Sequence, residues 1–387
     1  MVRARETKGF TLVELLVVIT ILGMLMAMAF PALQSALEVF RRMACGQKLT
    51  QLGLAAKIFE GKHLALPPGV SSCMPPNKQH LTGGSSKGNN YCQGPNWAVS
   101  ILTDLDEAQL ANGVRKCLQS TDSNDPCGNV CEDAAKDKYG NVGATTPRSM
   151  ECPSAPDTTP GERLYENSDA SWGLPKLAKG NYAANFGAGT FEDAIFRDHD
   201  NTSAARKKKS QMQGPFRVVA TNPPGGQVNF SSASDAKLHG AWKAGFRSGV
   251  KMASIKDGLT VTIMFSEVIG YDSGRDGRGV WTNASMGASI FTAKTLPNAD
   301  GTMAGAEENF DQIQLCDEKI PQSDQLHCKK KREKASEIWA AARSGHTDGV
   351  NVIYCDNHVE YVSNNVDLQT AWQPRATANG NDRVMDQ

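Results

Sequence analysis

The sequence predicts an α+β protein: one long N-terminal helix, then a loop-rich domain built on a small antiparallel β-sheet. Three observations carry this. An apolar run from Phe10 to Phe30 is interrupted by a single charge, Glu14. Beyond Pro31, apolar residues recur at steps of three and four. The rest of the chain is rich in Gly (36) and Pro (18) with 7% aromatics, and its apolar runs are short.

A helix rises about 1.5 Å per residue and a bilayer core takes about 20 residues, a length that 10–30 meets. The residues before it carry Arg3, Arg5 and Lys8 against Glu6. That bias keeps a short leader on the cytoplasmic side and sends the rest of the chain outward. After Pro31 the positions Leu33, Leu37, Phe40 and Ala44, then Leu49, Leu52, Ala56 and Phe59, mark an amphipathic helix with one slip near Cys45. A helix over 10–60 with a bend at Pro31 would be about 75 Å long. Gly61 and the Pro67-Pro68 pair are expected to end it. The organisation is therefore a leader (1–9), a transmembrane helix (10–30), its amphipathic extension (31–60) and an extracytoplasmic domain (61–387).

In that domain, 66–94 and 118–180 read as loop, and 97–102 with 104–111 as short helical segments. Strands are expected at 216–220, 259–268, 280–281, 350–355 and 358–362. Asp356-Asn357 between the last two suits a tight hairpin turn with positive φ. Val350, Val352 and Tyr354 alternate with Asn351, Ile353 and Cys355, so one strand face should pack inward.

Glu14 needs a partner, because an acid in a span costs about 2.5–3.5 kcal/mol at the centre and less near the interface. No Lys, Arg or His lies between Phe10 and Val39. The available amine is the one that cleavage after Gly9 would create on Phe10. Gly9, Phe10, Thr11, Leu12, Glu14 and Pro31 resemble the leader of type IV pilins and type II secretion pseudopilins. The resemblance implies cleavage between Gly9 and Phe10 by a prepilin peptidase and N-methylation of Phe10. It also implies that Glu14 neutralises that amine, in its own chain or a neighbour's, during packing with other pilin-like subunits. A plain anchor would account for neither Glu14 nor the Gly-Phe junction. A secretory signal cut after Ala27-Met28-Ala29 would need an apolar region longer than the roughly 7–15 residues usual for one.

Further blocks resemble a pilin-like family of uncharacterised role: 41–45 with 49–55, 151–154, 181–187, 214–216 and 255–267. That family's C-terminal signature is His, nine residues, Asp-Gly, associated with prepilin-type processing. Here His346 is followed by nine residues, then Asp356, with Asn357 in place of Gly. Asn is the next best residue for positive φ, so the turn should survive.

Ten cysteines in an exported domain favour disulfides over a four-cysteine zinc site, since Cys127 and Cys131 lack a second closely spaced pair. Candidate bonds are Cys316–Cys328, Cys73–Cys92 and pairings within Cys117, Cys127, Cys131 and Cys152. His346, Asp348, Asp356 and His358 are the only grouping of metal-ligating types near the hairpin, and a structural role for them is simpler. No resident metal or cofactor is expected.

Formal charge is zero for the whole chain, and −2 once the leader's three basic residues and one acid are set aside. That balance gives no electrostatic case for nucleic acid. Without Gly-x-Ser-x-Gly, His-Glu-x-x-His or a phosphate loop, no enzyme is expected. The favoured reading is a structural subunit of a type IV pilus-like or type II secretion pseudopilus assembly in the cytoplasmic membrane. The alternative is a single-span, membrane-anchored extracytoplasmic binding protein that does not polymerise, for which Trp97, Trp172, Trp242 and Trp281 could serve as contacts.

Overall fold

The structure is a computed structural model that describes residues 11–72, 93–112, 144–155, 164–165, 177–191, 211–220, 249–283, 285–299, 310–331 and 338–378. Helix α1 (Leu12–His63) opens it and runs unbroken across Pro31. A capping box starts the helix: the Thr11 hydroxyl accepts from the Glu14 amide, and the Glu14 carboxylate accepts from the Thr11 amide. Gly61 does not stop it. Leu64 does, in a left-handed conformation (φ 59°) with its N–H bonded to the Glu60 carbonyl. Lys62 and His63 in the last turn suit the negative end of the helix dipole.

Strands β1 (Val70–Ser72), β2 (Gln93–Asn96), β3 (Leu164–Tyr165), β4 (Leu177–Ala178), β5 (Tyr182–Asn185) and β6 (Val218–Ala220) come first in the chain. Then follow β7 (Ile263–Glu267), β8 (Ile290–Phe291), β9 (Asp311–Ile313), β10 (Cys328–Lys330), β11 (Gly349–Tyr354) and β12 (Val359–Ser363). The central sheet has the order β12-β11-β7-β5-β8. Its first three pairings are antiparallel and β8 lies parallel to β5, so the sheet is mixed where an antiparallel one was expected. The long connection from β5 to β8 allows a parallel return, which a tight turn could not. The 280–281 segment makes only an isolated bridge, Val280 to Lys179. Within 66–94 and 118–180, both read as loop, lie β1, β2, β3 and β4. These strands are two to four residues long, too short for a legible alternation.

The sheet is covered on both sides, so every residue of β11 is buried. This corrects the expectation of a single inward face. Val350, Val352 and Tyr354 pack with Ile263, Phe291, Val362 and Trp372. On the opposite side Ile353 and Cys355 join Leu49, Leu52, Phe59, Trp97 and Phe265. Trp97 and Trp281 are fully buried core side chains, and Trp97 donates to the Ser289 carbonyl at 2.7 Å. Trp172 and Trp242 lie outside the described residues. The inner half of α1 crosses this face, and two glycines let it come close. A Cβ on Gly46 would stand 3.3 Å from Val359 Cγ1, and one on Gly53 only 2.2 Å from Asn357 Oδ1.

Asn357 turns β11 into β12 with φ +86°, and its Oδ1 is enclosed with no hydrogen-bond partner among the described residues. Gly at this position removes both the left-handed strain and the unsatisfied acceptor. Asn357→Gly is therefore expected to be neutral or stabilising by up to about 1 kcal/mol, and Asn357→Val to cost about 1–2 kcal/mol. Denaturant midpoints of the two variants check this; a Val variant as stable as wild type would disprove the strain argument.

Candidate functional site

Where α1 enters the domain, four segments converge on His346. The helix supplies Glu38, Arg42 and Cys45, the 151–155 loop supplies Cys152, β7 supplies Glu267 and β11 supplies Asn351. His346 itself sits in the turn before β11, with its backbone N–H bonded to the Ser344 hydroxyl at 3.1 Å. Both ring nitrogens face carboxylates: Nδ1 lies 2.6 Å from Glu38 Oε1, and Nε2 lies 3.1 Å from Glu267 Oε1.

Glu267 is 1% exposed, so its oxygens need partners. Oε2 accepts from the Asn351 backbone N–H at 2.7 Å and Oε1 from the Asn351 amide at 3.0 Å. Glu38 also receives the Ser154 hydroxyl at 3.3 Å. Burial works against a charged imidazole, but the hydrogen bonds and charges of Glu267 and then Glu38 outweigh it and hold the His346 pKa above its ordinary value. The ring thus bridges one carboxylate on the helix and another on the sheet.

A disulfide between Cys45 and Cys152 lies beside this pair and ties the helix covalently to the 151–155 loop. Cys152 Sγ is 3.8 Å from His346 Nε2 and 3.7 Å from Glu267 Oε1. Asn181, just ahead of β5, fixes the loop by accepting the Cys152 N–H at 2.9 Å. Tyr182 donates to the Cys45 carbonyl at 3.1 Å, and burial followed by the charge of Glu267 pushes its phenol well up. The Arg42 guanidinium lies 4.4 Å over the Tyr361 ring, which meets His346 edge-on.

The structure separates residues that the sequence grouped. His346 points inward, while Asp356 and His358 pair with each other at the hairpin turn, Nδ1 to Oδ1 at 2.6 Å. Asp348 is exposed, in a left-handed turn at φ 63°. These four residues therefore do not form one metal site, because turn geometry splits them between interior and surface. Cys316 and Cys328 are bonded. Cys152 pairs with Cys45, 107 residues away, and not within the Cys117, Cys127, Cys131 group. Cys73, Cys92, Cys117, Cys127 and Cys131 lie outside the described residues, as do Gly9 and Phe10. Glu14 stands in the first turn of α1. Glu38, Cys45, Glu267 and Asn351 had not been singled out as partners of His346. A signal was present, since Cys45, Cys152 and Glu267 each fall in a separate block that resembles the pilin-like family.

A family profile described as "Protein of unknown function (DUF1559)" matches residues 34–369, a span that includes every residue of this site. A second, "Prokaryotic N-terminal methylation motif", matches residues 5–30. No curated protein and no solved structure gives a match.

Proposed function

The chain belongs to the DUF1559 family and carries an N-terminal methylation motif, and from that we propose that it is a pilin-like subunit of a type IV pilus-like or type II secretion pseudopilus assembly. In this reading a prepilin peptidase cuts between Gly9 and Phe10 and Phe10 is methylated. The helix anchors the chain in the cytoplasmic membrane with the domain outside, and other subunits pack along it.

The observation that supports assembly over a simple tether is the length of bare apolar helix. Leu12 to Phe30 would fill a bilayer core of about 20 residues. Yet Leu33, Leu37 and Phe40, on one face at i, i+4 and i+7, are 57%, 46% and 65% exposed beyond it. The helix first meets its own domain at Glu38, through His346 and Ser154, and its residues are first fully buried at Cys45 and Gly46. A lone span has no use for about two further turns of exposed apolar surface, whereas neighbouring copies of the helix would cover them. The domain-side clamp at His346 fits the same picture, because it would hold this projecting helix at a fixed angle.

One membrane preparation tests the reading twice. Mass spectrometry is expected to give a mature chain that starts at N-methylated Phe10, with Gly9→Val blocking or slowing the cut. Shearing is expected to release the processed chain in filaments. An intact Met1 terminus, or a cut after Ala29, overturns the processing. A processed chain that stays wholly with the membrane favours the tethered binding protein.

A further inference from the structure

Cys45, Cys152, Glu267 and His346 each present one ligand atom, all within 4.8 Å of one another and all buried. We infer that, once the Cys45–Cys152 disulfide is reduced, these four side chains form a closed site for a zinc ion. Zinc bonds of about 2.0–2.3 Å at tetrahedral angles put neighbouring N, O and S ligand atoms roughly 3.3–3.8 Å apart. Three of the edges already stand near those lengths: Nε2 to Oε1 at 3.1 Å, Nε2 to Cys152 Sγ at 3.8 Å and Oε1 to Cys152 Sγ at 3.7 Å. The two bonded sulfurs must move apart, and Cys45 Sγ stands within 4.8 Å of the other ligand atoms.

The outer contacts are those a zinc site uses. A ligating histidine donates its other N–H to a carboxylate or carbonyl, which fixes its orientation. His346 Nδ1 faces Glu38 at 2.6 Å. Glu267 Oε2 is held by the Asn351 backbone N–H at 2.7 Å, and Oε1, which accepts from the Asn351 amide at 3.0 Å, keeps a second lone pair for the metal. Two thiolates, one carboxylate and a neutral imidazole around a dication leave a single net negative charge.

A dithiol reductant passes two electrons and two protons to Cys45–Cys152, giving two thiols, and becomes a disulfide itself. Zinc then displaces one proton from each thiol and takes the Nε2 lone pair, releasing any proton carried there. Either state ties the anchor helix to the same loop, by a covalent bond where the surroundings are oxidising and by a metal where they are reducing, and the metal would add Glu267 of β7 and His346 to the tie.

The full-length chain in detergent, reduced with a phosphine under argon and titrated with cobalt(II), tests this. One cobalt per chain is expected, with thiolate charge-transfer bands and the intense d–d absorption of a tetrahedral site. Zinc should displace it, and the oxidised chain should show neither feature. His346→Ala and Glu267→Gln should each weaken binding at least about ten-fold, and Glu38→Gln by about 10–100-fold. The other cysteines could bind cobalt independently, so the Cys45→Ser/Cys152→Ser double variant sets the background. Binding by the reduced wild type that does not exceed this background, or that His346→Ala leaves unchanged, overturns the site. Should a variant fail to fold, the wild type alone decides. Zinc is expected to protect Cys45 and Cys152 from alkylation, as mapped by peptide mass, and equal labelling with and without zinc overturns the inference.

Discussion

Glu14→Val is expected to leave the chain in the membrane and to lower its recovery in sheared filaments about ten-fold or more. Insertion should not suffer, because the substitution removes a costly polar group from lipid. In the structure the Glu14 carboxylate folds back over the helix start, 2.9 Å from the Thr11 amide and 2.7 Å from its hydroxyl. Thr11 follows Phe10 directly in sequence, and Phe10 would carry the amine left by cleavage after Gly9. Two roles compete for this side chain: a neutral cap on the helix and a charge partner for an amine. Glu14→Gln separates them, since it keeps an acceptor and loses the charge. If the Gln variant assembles like wild type, capping suffices and the charge-pairing role is wrong. If Gln fails as Val does, the charge is what assembly needs.

Asp311→Ala is expected to destabilise the domain by about 3–5 kcal/mol, the cost of breaking a buried ion pair from one side. Asp311 is fully enclosed between two arginines. Its Oδ2 accepts from Arg278 Nη1 and from Arg343 Nε, both at 2.8 Å, and its Oδ1 accepts from Arg343 Nη2 at 3.1 Å and the Ala341 N–H at 2.9 Å. Asp276 supplies the second carboxylate, forked onto Arg278 at 2.8–3.1 Å. Removing Asp311 leaves two buried guanidinium groups with one carboxylate, Asp276, as counter-charge among the described residues. Burial would raise the Asp311 pKa, but Arg343 and Arg278 outweigh it and hold the carboxyl below its usual range. Its stabilisation is thus complete above the ordinary carboxylate pKa of about 3.9 and fades only as the pH falls through the lowered native value. Denaturant unfolding measures the effect; a loss under about 1 kcal/mol would mean that water reaches the arginines.

Some features were legible because their causes are local. The apolar run 10–30 and the steps from Leu33 to Phe59 are helix periodicities, and they marked α1 to within three residues of its ends. The 350–355 and 358–362 segments, separated by Asp356-Asn357, carry their own turn chemistry and appear as β11 and β12. Cys316 and Cys328 lie 12 residues apart around a polar loop. By contrast, β5 (Tyr-Ala-Ala-Asn) is buried throughout and shows no alternation, while β8 has two residues.

The sequence by itself therefore determined the anchor helix, the C-terminal hairpin, the methylation motif and the family, all written in neighbouring residues or in recognisable blocks. Only the tertiary structure decided that Cys45 bonds Cys152, that Glu38 and Glu267 share His346, and that Asp311 joins Arg278 to Arg343. Those partners stand 32 to 308 residues apart. The entropy of closing a loop grows only slowly with its length, so sequence distance discriminates weakly among candidate partners. What selects them is burial: a charge or polar group taken from water must meet its complement, and only packing α1 across the sheet determines which complement is there.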